Sequence, residues 1–249
     1  MSVKLYVIPG HGDGDPGAGG EVGGVHYDEA ERVRALATCI KEMGGDAVEL
    51  APFDRDAYKD SGLLNWAIPS GAQVVELHMD SASASAHGAH VIYKEGLEPD
   101  AYDTALAARV SEMFPGRANS LVGRGNLQNV NQAAARGVPY RLVENGFISN
   151  EGDLRKFNDQ IDDLARIYLK VFGITDQQEE EVTDQDIERI AQRAAQLACE
   201  YMLPGGDSEP AHGPDGNAYR NMYNCLHWAY DNTNEILERL DGIEDMLQE

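Results

Sequence analysis

Apolar residues along this chain follow two rhythms. Short runs rich in Val, Ile, Leu and Tyr (residues 4–8, 47–50, 73–77, 89–93 and 140–143) read as strands buried on both faces. Between them the spacing changes to three and four. Ala30, Val33, Leu36, Ala37, Ile40 and Met43 line one face of a helix over 28–43, and Gly44-Gly45 ends it. The same spacing predicts a helix over 99–114, with Pro99 in its first turn. Another is predicted over 150–172, where Leu154, Phe157, Ile161, Leu164 and Tyr168 recur. A shorter helix is expected over 54–66. Strands that alternate with helices predict an α/β fold with a mostly parallel sheet flanked by helices. Three stretches remain as loops: a Gly-rich one from Pro9 to about Tyr27, a Ser/Ala-rich one over 81–87, and a polar one from Gly116 to about Asn131.

The pattern changes after residue 174. Residues 175–182 read as a polar, acidic linker. Beyond it Ile187, Ile190, Ala194, Leu197 and Tyr201 step by three and four. After a Pro/Gly-rich turn the stepping resumes from Tyr219 to Leu247, a coiled-coil seam of about four heptads. The expected organisation is an α/β domain over 1–174 and a small all-α hairpin over 183–249. A hairpin of about 70 residues buries too little to stand alone, so it is expected to make the protein a homo-oligomer.

Charge narrows the partners. The formal net charge is −23 over 249 residues, and residues 176–249 hold 18 acidic and 4 basic side chains. This argues against nucleic acid or an anionic membrane as a partner. Cys39, Cys199 and Cys225 are odd in number and far apart, which gives no disulfide framework and no Cys-based metal site. No apolar run reaches the roughly 18 residues of a membrane span. The first residues lead straight into a strand with no signal-peptide pattern, so synthesis in the cytoplasm is expected.

The candidate chemistry sits at strand ends. His11 follows the first strand within the run Gly10-His11-Gly12-Asp13-Gly14-Asp15-Pro16-Gly17-Ala18, and His78 follows the third. Ligands of α/β sheets gather at such carboxyl ends. Two histidines and one carboxylate hold Zn²⁺ with a position left open for catalysis. Glu29 at the start of the first helix is the preferred third ligand, and Glu21, Asp28 and Glu31 compete on spacing. Glu144, ending the fifth strand, suits a non-ligating carboxylate that moves a proton. The glycine loop lacks the Gly-Lys-Ser/Thr ending of a nucleotide-binding loop. His87 and His90 lie close enough in sequence to the site to be watched.

Together these segments resemble the zinc-dependent N-acetylmuramoyl-L-alanine amidases of the amidase-3 type. The likeness rests on the His11 loop, on Glu29 opening the first helix, on Glu76-Leu77-His78-Met79-Asp80, and on Glu144-Asn145-Gly146-Phe147-Ile148-Ser149-Asn150. It covers about residues 3–173. The resemblance implies His11, Glu29 and His78 as zinc ligands and Glu144 as the catalytic carboxylate. It implies bacterial peptidoglycan as substrate, cut between N-acetylmuramic acid and L-alanine. An endopeptidase acting within the stem peptide, or a wall-binding module without catalysis, are the alternatives. Glu76 and Asp80 replace a common Ser and Asn of the family. The segment through Ala86 is similar to phage endolysin variants, which implies a cytoplasmic enzyme that reaches the wall after release. Arg124, Asn126 and Asn129 are candidates for holding the muropeptide, and the tail for wall targeting.

Overall fold

The computed structural model describes residues 3–12, 14–59 and 62–177. They lie in the first of two compact units, Met1–Glu179. The expected hairpin, its coiled-coil seam and the oligomer it would form lie outside the described residues.

The elements are, in order, β1 (Leu5–Pro9), β2 (Gly19–Val22), β3 (Val25–Asp28), α1 (Glu29–Gly44), β4 (Val48–Leu50), β5 (Gln73–Asp80), β6 (His90–Lys94), α2 (Ala101–Met113), β7 (Leu121–Arg124), α3 (Gln128–Ala135), β8 (Tyr140–Phe147), α4 (Glu151–Asp159) and α5 (Ile161–Val171). Six strands form one sheet in the order β4-β1-β5-β8-β6-β7. The first four run parallel, and β6 and β7 run parallel to each other but antiparallel to β8. The sheet is therefore mixed and mostly parallel, as the alternation of strands and helices predicts.

Both faces are covered, which is why the strands read as continuous apolar runs. Leu5, Val7, Val75, Leu77, Val91 and Val143 point one way and pack with Val33, Leu36 and Ile40 of α1, Leu106 and Val110 of α2, and Leu164 and Tyr168 of α5. Tyr6, Ile8, Val74, Ile92 and Leu142 point the other way, against Val130 and Ala133 of α3 and against Leu63 and Trp66. Alternation along each strand gives the two sets.

The predicted helix over 54–66 does not form. Among the described residues of this stretch, the one helical turn is a 3-10 turn, Gly62–Leu64. Its apolar spacing instead seats Ala57, Leu63 and Trp66 on the sheet. Asp56 accepts hydrogen bonds from the amides of Tyr58 and Lys59 at 2.8 and 3.2 Å, a local turn that competes with a helical ladder. The predicted helix over 150–172 is two helices, broken at Gln160 (φ −126°, ψ 30°). Pro99 precedes α2 rather than entering its first turn. Asp100 caps that helix in a reciprocal capping box with Asp103. Three elements arise where loops were expected: the hairpin β2–β3, the edge strand β7 and the helix α3. The hairpin turns on Gly23-Gly24, both at positive φ (59° and 78°), as a tight two-residue turn requires.

Candidate metal centre and active site

Glu29 is the first residue of α1 and is 3% exposed. A carboxylate there faces the positive end of the helix dipole. Its Oε2 accepts from the Ala18 amide at 3.0 Å and its Oε1 from the Met79 amide at 3.1 Å. The hairpin leads directly into this position, since β3 ends at Asp28.

His11 follows β1 with φ of +59°, a left-handed conformation unusual for a residue with a Cβ. Such backbone strain, on the order of 1 kcal/mol or more, persists only where the surroundings fix it. Here Arg34 donates to the His11 carbonyl at 3.1 Å, and the Asp15 carboxylate lies 3.6 Å from Nδ1. The conformation aims Nε2 at Glu29, 3.0 Å from Oε1.

His78 lies inside β5, which runs on to Asp80 rather than ending at Leu77. Its Nδ1 is 2.9 Å from the same Glu29 Oε1. The two imidazoles stand edge to face, ring centres 5.0 Å apart. Ligand atoms of His11, Glu29 and His78 all lie within 4.8 Å of one another, the one such group of three or more among the described residues. The competing carboxylates are elsewhere: Glu21 lies in β2, Asp28 is paired with His26, and Glu31 with Arg32.

Glu144 also lies inside its strand, since β8 continues to Phe147. It pairs with His78 across β5–β8 and with His90 across β6–β8. Its Oε2 is buried and makes no hydrogen bond. Burial pushes its pKa up to about 7, with Asp80 and Glu29 adding to the rise and His78 opposing it.

The electrostatics of the cluster bear on what it can hold. Burial alone would lower the pKa of both imidazoles. Hydrogen bonding and charge from Glu29 overcome it at His11, which is raised; at His78, hydrogen bonds to Glu29 and Glu76 with charge from Glu76 and Glu144 overcome it, and His78 is raised well above its ordinary value. Burial would likewise raise Glu29, but the two histidines hold it far below the usual carboxylate range. The pocket thus concentrates negative potential where two ring nitrogens and one carboxylate oxygen converge. A divalent cation held there by His11, Glu29 and His78 would take the place of two imidazole protons. Two nitrogens and one oxygen, with one direction open, is the donor set that suits catalytic zinc. The residues fit that ion.

A cleft of about 670 Å³ opens over these groups. His90, Arg117, Arg124, Asn126 and Asn129 line it. Asn129 is already engaged, donating to both oxygens of Glu76. Arg117 pairs with Asp80 and lies over the Phe147 ring. The sequence gives no pattern that singles out Arg117, since its loop carries no periodicity. His90 Nδ1 is buried without a partner, and burial with the neighbouring Arg117 lowers its pKa to about 4. His87 is exposed and hydrogen-bonds to the Ser85 carbonyl.

The model of the N-acetylmuramoyl-L-alanine amidase family (Amidase_3) matches residues 5–171. A probable autolysin PH of Staphylococcus aureus is 30% identical over an alignment of 169 residues that covers 61% of this chain and 34% of the relative, so the chain spans about a third of that protein. Among solved structures, Cwp6 from Clostridium difficile superposes with a TM-score of 0.54 at 21% identity, over 69% of this chain and 28% of that one. An N-acetylmuramoyl-L-alanine amidase from Clostridium difficile 630 gives 0.54 at 16% identity, over 68% and 94%. The catalytic domain of the CD27L endolysin gives 0.53 at 17% identity, over 68% and 96%. At these identities the structures share the fold.

Proposed function

Because the chain belongs to the N-acetylmuramoyl-L-alanine amidase family, we propose that it hydrolyses the amide between the lactyl group of N-acetylmuramic acid and L-alanine in peptidoglycan, with zinc held by His11, Glu29 and His78. The observation that carries the reading is the convergence of those three side chains beside a buried carboxylate with an unpaired oxygen. Zinc at such a site supplies a Lewis acid and lowers the pKa of bound water to about 7.

The chain's own groups do the rest. Glu144, with a pKa near 7, takes a proton from the attacking water. As the C–N bond breaks, the same carboxyl returns that proton to the departing alanine nitrogen. The amine then leaves neutral and the lactyl group as its carboxylic acid, whose proton passes through solvent to the more basic amine, so that a lactyl carboxylate stays on the glycan and the peptide ends in an ammonium. Glu144 must not ligate in this scheme, and it lies outside the cluster that His11, Glu29 and His78 form. His90, with its pKa lowered to about 4, adds no positive charge beside Glu144 near neutral pH.

We read the enzyme as lytic, of the endolysin kind that its segment around His78 resembles. The test is metal-dependent wall degradation. The purified chain should release soluble material from peptidoglycan, lose that activity on chelation and regain it with Zn²⁺. Activity indifferent to chelation would overturn the zinc assignment.

A further inference from the structure

Glu76 stands on β5 two residues before His78, so their side chains share one face of the strand. It is 4% exposed, and both its oxygens are engaged. Oε1 lies 3.0 Å from His78 Nε2 and 3.1 Å from Asn129 Nδ2. Oε2 accepts from Asn129 at 2.9 Å and from the Tyr140 hydroxyl at 2.6 Å. These partners come from β5, α3 and β8. All are imidazole, amide or phenol, with no Lys or Arg among them. A buried carboxylate without a cation is costly unless its hydrogen bonds are complete. Here the completed set aims one oxygen at a single ring nitrogen.

That nitrogen is the far side of a candidate ligand. His78 Nδ1 faces Glu29, and Nε2 faces Glu76. The ring is pinned from another direction by Gly10, where an added Cβ would lie 2.3 Å from Cε1. His11 is held less tightly. Its carboxylate neighbour Asp15 is 3.6 Å away, one-third exposed and shared with Lys59.

We infer that Glu76 is a positioning residue of the metal centre: its Oε1 accepts the proton on His78 Nε2, fixing the tautomer whose Nδ1 lone pair is turned toward Glu29 and His11. Asn129 and Tyr140 hold the carboxylate in that aim. A partner on the second nitrogen sets which nitrogen is free to ligate and makes it more basic. The inference rests on the metal-centre reading above.

The test uses the full chain stripped of metal, titrated with Zn²⁺ against a chelator of known affinity, with ¹⁵N–¹H spectra of the histidine rings. Wild type is expected to bind one zinc and to show His78 protonated at Nε2, with a hydrogen-bonded, low-field ring proton. Glu76→Gln and Glu76→Ala are expected to bind zinc about 10- to 100-fold more weakly, with that ring proton moved upfield. If the alanine variant does not fold, the near-isosteric glutamine carries the test. Unchanged affinity and an unchanged ring proton in Glu76→Gln, with wild type binding normally, would overturn the positioning role alone. No zinc binding by wild type would overturn the metal centre and this inference with it.

Discussion

Glu144 and His78 are paired positions in the β5–β8 ladder, so a buried carboxylate with one unpartnered oxygen and an imidazole aimed at Glu29 stand side by side on adjacent strands. The relationship separates two tasks. The imidazole turns toward the ligand cluster, and the carboxylate keeps an oxygen free for a proton.

Replacing Glu144 should divide those tasks. Glu144→Gln is expected to keep one zinc per chain while stem-peptide release falls by about 10²- to 10⁴-fold, the usual share of a positioned acid–base group. Metal content and turnover measured on one preparation check this. Retained turnover would remove the role assigned to Glu144.

His78→Ala is expected to lose the metal itself, because a ligand leaves while Glu29 keeps only His11. Elemental analysis after dialysis against trace zinc reads the result. Full occupancy in this variant would contradict the ligand set.

Burial raises Glu144 from 4.5 to about 7. In metal-free protein the folded state therefore binds a proton between about pH 4.5 and 7 that the unfolded state has released. The stability tied to this group is present below pH 4.5 and is lost as pH rises through 7. Metal-free Glu144→Gln should match wild type most nearly around pH 4.5 and exceed it increasingly up to pH 8, read from denaturant midpoints. A difference that does not vary with pH would contradict the assignment.

Arg141 tests the frame rather than the chemistry. Its side chain is 1% exposed and pairs with Asp103 at 2.7 Å and Asp100 at 2.9 Å. Arg141→Ala strands the buried Asp103, and about 3–5 kcal/mol of stability should be lost. Chemical denaturation checks it.

Much of this was legible in the sequence, and the reasons are physical. Strands covered on both faces carry apolar residues on both, so β1, β5, β6 and β8 announce themselves by their apolar runs. Helix α1 shows its stripe because only one face is buried. The hairpin β2–β3 is largely exposed and glycine-rich, so it lacks the apolar alternation that marks strands, though Gly23-Gly24 was a usable turn signal. The segment over 54–66 has helical spacing, yet its apolar residues serve packing in a loop that Asp56 turns. Among the site residues, His11 after β1 and Glu29 at a helix start were placed as the sequence predicts, while His78 proved to lie inside β5 rather than at its end, and the three side chains meet. Which of four nearby carboxylates joins them depended on the unseen hairpin that delivers Glu29. Glu76 was visible as a departure from the family pattern, and its two-residue offset from His78 already put both on one face. Its partners Asn129 and Tyr140 lie more than fifty residues away, beyond any local pattern.

The identity of the bond cut is the most direct test. Soluble products from peptidoglycan treated with the purified chain should be analysed by mass spectrometry. Cleavage at the lactyl amide predicts intact stem peptides with a free L-alanine amine, and glycan strands that end each lactyl group in a carboxylate. Peptides shortened from within the stem, on glycan that still carries L-alanine, would contradict it.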